Sequence, residues 1–190
     1  MYIDAAGTVN TFIENDGGTL TMNLRGTIFE GYSFDSFVPT DATPPEQLSH
    51  FAFWHNALVG YELRSEWPVR LLALGESVET KLDLFLKIGL PEPGQGERLD
   101  AFAFSLSLIY AGRVFTTGKD SGDFETELLG LEAQMPDEIF FHACISCAFS
   151  DYSPYGSGFS GTLACFRDTK EEYRQVRGKN IDVFWPRMAG

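Results

Sequence analysis

The sequence predicts an α+β fold made mostly of antiparallel β-sheet. One or two packed sheets carry two or three helices, one of them near the C-terminus, and three observations lead there. The first is a strict alternation over 78–88. Val78, Thr80, Leu82, Leu84, Leu86 and Ile88 share one face, and Glu79, Lys81, Asp83, Phe85 and Lys87 share the other. A period of two describes a half-buried strand and excludes a helix face. The second is the return of this pattern after the loop Pro91-Glu92-Pro93-Gly94-Gln95-Gly96. There Phe102, Phe104, Leu106, Leu108 and Tyr110 oppose Ala103, Ser105 and Ser107, which predicts an antiparallel hairpin with a long loop. The third is a change of period over 123–134, where Phe124, Leu128 and Leu131 fall on one side of a helix. Asp123 suits its N-cap, Glu125 and Glu127 suit the positive end of its dipole, and Pro136 ends it.

The remaining elements follow in order. Thr8 to Glu14 reads as a strand, turned at Asp16-Gly17-Gly18 into the alternating residues Leu20, Met22 and Leu24. Thr27 to Val38, rich in Phe and Tyr, reads as one more strand, and the prolines of 39–45 as a loop. Glu46 to His55 suits a short helix. Val59, Tyr61 and Leu63 alternate as a half-buried strand that Trp67-Pro68 is expected to end. Ile139 to Phe149 alternates as a strand, and Gly161 to Arg167 reads as a short strand. Thr169-Lys170-Glu171-Glu172 has the pattern of a capping box opening a helix that runs to about Gly178. The expected total is seven to nine strands.

With 190 residues, 44% of them hydrophobic and 14% aromatic, the chain is read as a single domain over 1–190 with a core of its own. Lys and Arg total 14 against 27 Asp and Glu, a net charge of -13. Such a surface repels nucleic-acid phosphates and anionic lipid and attracts a basic partner. The expected partner is therefore a basic protein, with no nucleic acid and no membrane. The N-terminal residues show neither a basic region nor an apolar one of the kind that directs secretion, and no apolar run approaches the ~20 residues of a membrane span, so a cytoplasmic location is expected.

The residues that bear chemistry are few. Cys144, Cys147 and Cys165 with His142 raise a zinc reading. On a strand, however, Cys144 and Cys147 would point to opposite faces, and no second pair completes a site. The expectation is three buried, inert, metal-free thiols. His142 and Cys144 would share a strand face without forming an activated pair. Gly156 to Gly161 contains glycines but no phosphate-loop lysine. No nucleophile elbow or paired-histidine metal motif is present, so no catalytic residue, metal or cofactor is assigned.

The most distinctive stretch is Phe149-Ser150-Asp151-Tyr152-Ser153-Pro154-Tyr155-Gly156, which puts two tyrosines and an aspartate on a loop after a strand. Tyrosine gives large contact area at low entropic cost, so Asp151, Tyr152 and Tyr155 are the candidate partner-binding residues. The block Cys144 to Gly156, followed by Leu163-Ala164-Cys165-Phe166-Arg167-Asp168-Thr169-Lys170-Glu171-Glu172-Tyr173, resembles an uncharacterised bacterial family of unknown function. The resemblance covers about the last third of the chain. It would lead one to expect further acidic and aromatic sequence beyond Phe184-Trp185-Pro186. Members resemble proteins found near polymorphic toxin systems, so the resemblance implies an immunity-type role with a toxin as the basic partner, and it implies no catalytic residues. Two functions stand: a non-catalytic protein-binding domain of this kind, and a small hydrolase or transferase with an unrecognised site.

Overall fold

A computed structural model of the chain describes residues 1–16, 19–41, 43–94, 98–118, 124–152 and 163–174, with the backbone alone at 151, 152, 163 and 164. The architecture is α+β and mostly antiparallel, as expected, but divided more finely. The chain opens with β1 (Tyr2–Asp4) and β2 (Gly7–Val9), then crosses to a second sheet as β3 (Ile13–Asn15). The single strand expected over Thr8 to Glu14 is therefore two, one in each sheet. At the crossing Phe12 is almost fully exposed and Thr11 Oγ1 donates to the Asn23 carbonyl. The hairpin expected around Asp16 is present: β3 pairs with β4 (Leu20–Leu24), and Asp16 Oδ1 accepts the Thr19 N–H at 2.7 Å.

β4 continues into β5 (Thr27–Gly31), and the sheet closes with β6 (Val38–Pro39). The strand expected over Thr27 to Val38 is broken at 32–37, where Ser36 Oγ accepts the N–H groups of Tyr32 and Ser33 and turns the chain. The helix expected over Glu46 to His55 is only α1 (Pro45–Leu48), with Pro at its first turn. After it, Phe51 and Phe53 lie 5.0 and 6.4 Å from the Phe29 ring. That packing draws the chain into the hairpin β7 (Ala52–Trp54) and β8 (Ala57–Val59) instead of a longer helix.

The centre of the molecule is a pair of 13-residue strands, β9 (Tyr61–Ala73) and β10 (Glu76–Ile88), in register along their whole length. β11 (Phe102–Tyr110) and the short β12 (Arg113–Thr116) extend the sheet from β10. The expected hairpin between 78–88 and 102–110 is there, with Leu86 opposite Phe104 and Leu84 opposite Leu106. The expectation that Trp67-Pro68 ends the preceding strand is wrong: β9 runs through both residues for five more.

Four hairpins share one device. Arg25-Gly26, His55-Asn56, Leu74-Gly75 and Ala111-Gly112 each form a two-residue loop with both φ angles positive. This is the type I′ turn, whose twist matches that of the flanking strands.

α2 (Phe124–Glu132) is the expected amphipathic helix, with Leu128 and Leu131 buried; its proposed cap Asp123 lies outside the described residues. β13 (Ile139–Phe141) follows and pairs with the far end of β9. The strand expected over Ile139 to Phe149 stops there. Glu132 Oε2 accepts both the Phe141 N–H at 2.9 Å and the Ser146 hydroxyl at 2.6 Å, which bends the chain into a 3-10 turn at Cys144–Ser146. A small hairpin of β14 (Ser150–Tyr152) and β15 (Leu163–Cys165) follows, then α3 (Lys170–Tyr173). The expected capping box is not formed. Thr169 sits at φ -129°, ψ 15°, outside the extended region of a capping residue, and its buried Oγ1 finds no partner. The expected end of this helix near Gly178 lies outside the described residues.

One hydrophobic cluster joins the layers. Leu63, Leu71, Leu82, Leu84, Leu86, Ile88, Phe104, Leu106 and Leu108 supply the inner face of the large sheet. Leu20, Met22, Leu24 and Phe29 face them from the four-stranded sheet, and Leu128 and Leu131 from α2. Tyr61 is buried here and its hydroxyl donates to the Phe34 carbonyl at 2.5 Å; burial pushes its pKa well above the ordinary tyrosine range. The outer face of the sheet is polar. Its ion pairs, Glu62 with Arg64 and Lys87, Glu66 with Lys81, and Arg70 with Glu79, are largely screened by solvent and add little to stability. Among the described residues no helix is long and apolar enough to cross a membrane.

Candidate functional site: a cleft at the open stretch of the long strand

β9 is paired with β10 along one edge throughout, but along the other, among the described residues, only at its ends. β1 covers Tyr61, Glu62 and Leu63, and β13 covers Leu71, Leu72 and Ala73. Beyond these, Arg64 exchanges hydrogen bonds with Met1, and the Arg70 carbonyl accepts the His142 N–H at 2.8 Å. Arg64 and Arg70 therefore turn their backbone groups outward. In an antiparallel ladder every second residue does the same, so Glu66 and Pro68 face the gap between. Among the described residues no strand pairs with β9 there. Proline has no N–H, so this stretch presents one outward donor, on Glu66, and two outward carbonyls. That accounts for a proline within a long strand: its missing donor faces away from β10 and the β9–β10 ladder is intact.

Two hollows flank the open stretch and meet at Trp67. The larger, about 600 Å³, is walled by Trp67, Val69, Leu82, Phe124, Leu128 and Phe141, with Arg70, Glu79 and His142 at its rim. The smaller, about 420 Å³, includes Phe12, Phe34, Leu63 and Glu66. The Trp67 ring lies 5.5 Å from Phe124 and 5.8 Å from Phe34, so one aromatic row runs under both. Pocket-lining aromatics beside a few polar groups are the usual surroundings of a bound ligand or an inserted side chain.

The nearest approach to a catalytic pair is Ser77 Oγ, 3.3 Å from His142 Nδ1. Both residues are exposed, and among the described residues no carboxylate is hydrogen bonded to the ring to orient it. Among the described residues no group of three or more His, Cys, Asp and Glu converges as a metal site would require.

The residues singled out from sequence fare unevenly. Asp151 and Tyr152 lie not on the expected loop but on β14, in backbone register with Ala164 and Leu163, and Tyr155 lies outside the described residues. They are joined to the cleft through the chain: Ala143 is at its rim, and β14 starts seven residues later. The thiols are not three buried hydrophobes. Cys144 is exposed and Cys147 half-buried, because the 3-10 turn replaces the expected strand, and Cys165 is exposed on β15. For the same reason His142 and Cys144 do not share a strand face. Sequence reading missed the cleft itself. Its one signal was Trp67-Pro68, a proline beside an aromatic residue inside an otherwise alternating run.

Fold and site together define an acidic α+β protein of mostly antiparallel sheet with an aromatic cleft on a gapped sheet edge. The chain belongs to DUF6304, a family of unknown function, with the match spanning residues 1–150. The matched region contains every residue named above as lining the cleft and includes Cys144 and Cys147, whereas β15 and α3 lie beyond it. No curated protein and no solved structure matches the chain.

Proposed function

We propose that this protein is a non-catalytic protein-binding domain, and that the cleft on the open stretch of β9 receives a segment of a basic partner. The observation that carries this reading is the gap between β1 and β13. An edge with two outward carbonyls and one outward donor is rich in acceptors, and Lys and Arg side chains are pure donors. The aromatic row beneath takes the apolar stems of such side chains, and a guanidinium stacks on it well. The net charge of -13 steers a cationic protein toward the surface. The concrete case is an immunity-type protein that occludes a basic toxin, with Asp151, Tyr152 and Tyr155 contributing to the same contact. The immunity role comes from the sequence resemblance alone.

The experiment begins with proteins captured on the full chain from its host, followed by association kinetics with each purified partner. Association should slow markedly between low and physiological salt, where screening shortens the field to ~8 Å. Val69→Trp, which fills the larger hollow, should weaken binding about tenfold or more, equivalent to a loss of ~1.4 kcal/mol. Replacing Tyr152 and Tyr155 together by Ala should mainly speed dissociation. A partner that is acidic, that binds without salt dependence, or that ignores Val69→Trp in a folded variant would overturn the reading.

A further inference from the structure

Cys144 and Cys147 bracket the 3-10 turn, and the Cys147 N–H donates to the Cys144 carbonyl at 3.1 Å. A turn closed by this bond holds its first and fourth Cα atoms within about 7 Å. A disulfide needs its Cα atoms about 4.4–6.8 Å apart, so the two thiols can join with little backbone movement. The turn is also held from several sides. The Ser150 hydroxyl donates to the Cys147 carbonyl at 2.8 Å and also to the Cys144 carbonyl. The Ser146 hydroxyl is tied to Glu132 of α2, and Ile145 packs against the core. Access is graded, with Cys144 exposed and Cys147 half-buried. Cys165 is also exposed but sits on β15, opposite Ser150, outside the turn.

We propose that Cys144 and Cys147 form a redox-active dithiol that exchanges with small-molecule disulfides, and that Cys165 takes no part. Glutathione disulfide serves as the oxidant. The Cys144 thiol, after giving up its proton, attacks one sulfur of the oxidant, whose S–S bond breaks. One glutathione leaves as a thiolate and takes up that proton, and the protein carries a mixed disulfide. Cys147, likewise deprotonated, attacks the Cys144 sulfur. The second glutathione leaves as a thiol, and the Cys144–Cys147 bond remains. Two electrons pass from the protein dithiol to the oxidant, which becomes two glutathione thiols. The exposed cysteine opens the exchange and its half-buried neighbour resolves it.

The test uses the full-length chain incubated with glutathione disulfide under native conditions. Thiol titration should show the loss of two of its three thiols, reversed by dithiothreitol. Cys165→Ser should also lose two, and peptide mapping should place the bond between Cys144 and Cys147. In Cys147→Ser the reaction should halt at a stable mixed disulfide on Cys144. As a second measure, a trivalent arsenical that bridges neighbouring thiols should bind wild type and Cys165→Ser with one-to-one stoichiometry and should not be retained by Cys147→Ser. Retention of both thiols by Cys165→Ser after oxidation, or a bond that maps to Cys165, would overturn the proposal. So would equal arsenical binding by Cys147→Ser.

Discussion

Leu84 lies mid-strand with Ser65 on one side and Leu106 on the other, and Phe104 lies opposite Leu86; they are 2% and 4% exposed. Cutting either to Ala removes buried atoms and leaves a cavity, so each variant should lose about 2–5 kcal/mol in chemical denaturation. Losses below ~1 kcal/mol at both would mean that this face is not packed as described. A second residue-scale test concerns charge. Asp4 receives both guanidinium arms of Arg25, at 2.7 and 2.8 Å, and the Ala6 N–H. Burial pushes its carboxyl up, but these hydrogen bonds and the Arg25 charge outweigh it, and the pKa lies below the ordinary aspartate value. A carboxyl depressed in the folded state adds stability above its unfolded pKa of about 3.9, and that stability is lost as pH falls through the lower folded value. Arg25→Met should therefore cost about 1–2 kcal/mol near pH 7, by analogy with other hydrogen bonds to charged groups. The difference from wild type should shrink as pH falls below 4. A difference independent of pH would assign the role of Arg25 to its stacking over Tyr2 and Phe51.

At the scale of elements, legibility in the sequence tracked the length of an unbroken pattern. The strict alternation of 78–88 and the helical spacing of Phe124, Leu128 and Leu131 each report one buried face, and both elements formed where expected. The errors arose where a local feature has two physical meanings. Proline stops a strand that has neighbours on both sides, yet it is tolerated where its missing donor faces a gap. Whether Pro68 faced a gap depended on β1 and β13, which reach β9 from far along the chain. The apolar alternation of 139–149 was read as one strand because nothing nearby announced that Glu132, from the preceding helix, would take the Phe141 N–H and bend the chain. That error hid the thiol pair, since its facing was inferred from the strand. The cleft was illegible for a related reason. Its walls come from β9, β10, α2 and β13, and only the three-dimensional register brings Trp67 beside Phe124.

At the scale of the molecule, the long β9–β10 pair is the part on which everything else is laid. Its two strands follow each other in sequence through a two-residue turn, so their pairing closes at small entropic cost. β1 and β13 then clasp the outer edge of β9 from opposite ends of the matched region and stop short of meeting.

That gap has a consequence for how the molecule exchanges hydrogen with water. Along β9 the amides of Ser65, Trp67 and Val69 point into the ladder with β10, and their deuterium uptake should wait on opening of the central sheet. The Glu66 amide points outward and Pro68 carries none, so one fast site should stand between slow neighbours. Site-resolved exchange would read it as a single early-labelling amide flanked by protected ones. A basic partner seated on the edge should slow that site and leave its neighbours unchanged. Uniformly slow uptake from Arg64 to Arg70 in the protein alone would mean that the edge is already covered. A lone labile amide in the middle of a rigid strand would be a built-in reporter of occupancy, readable before any partner is identified.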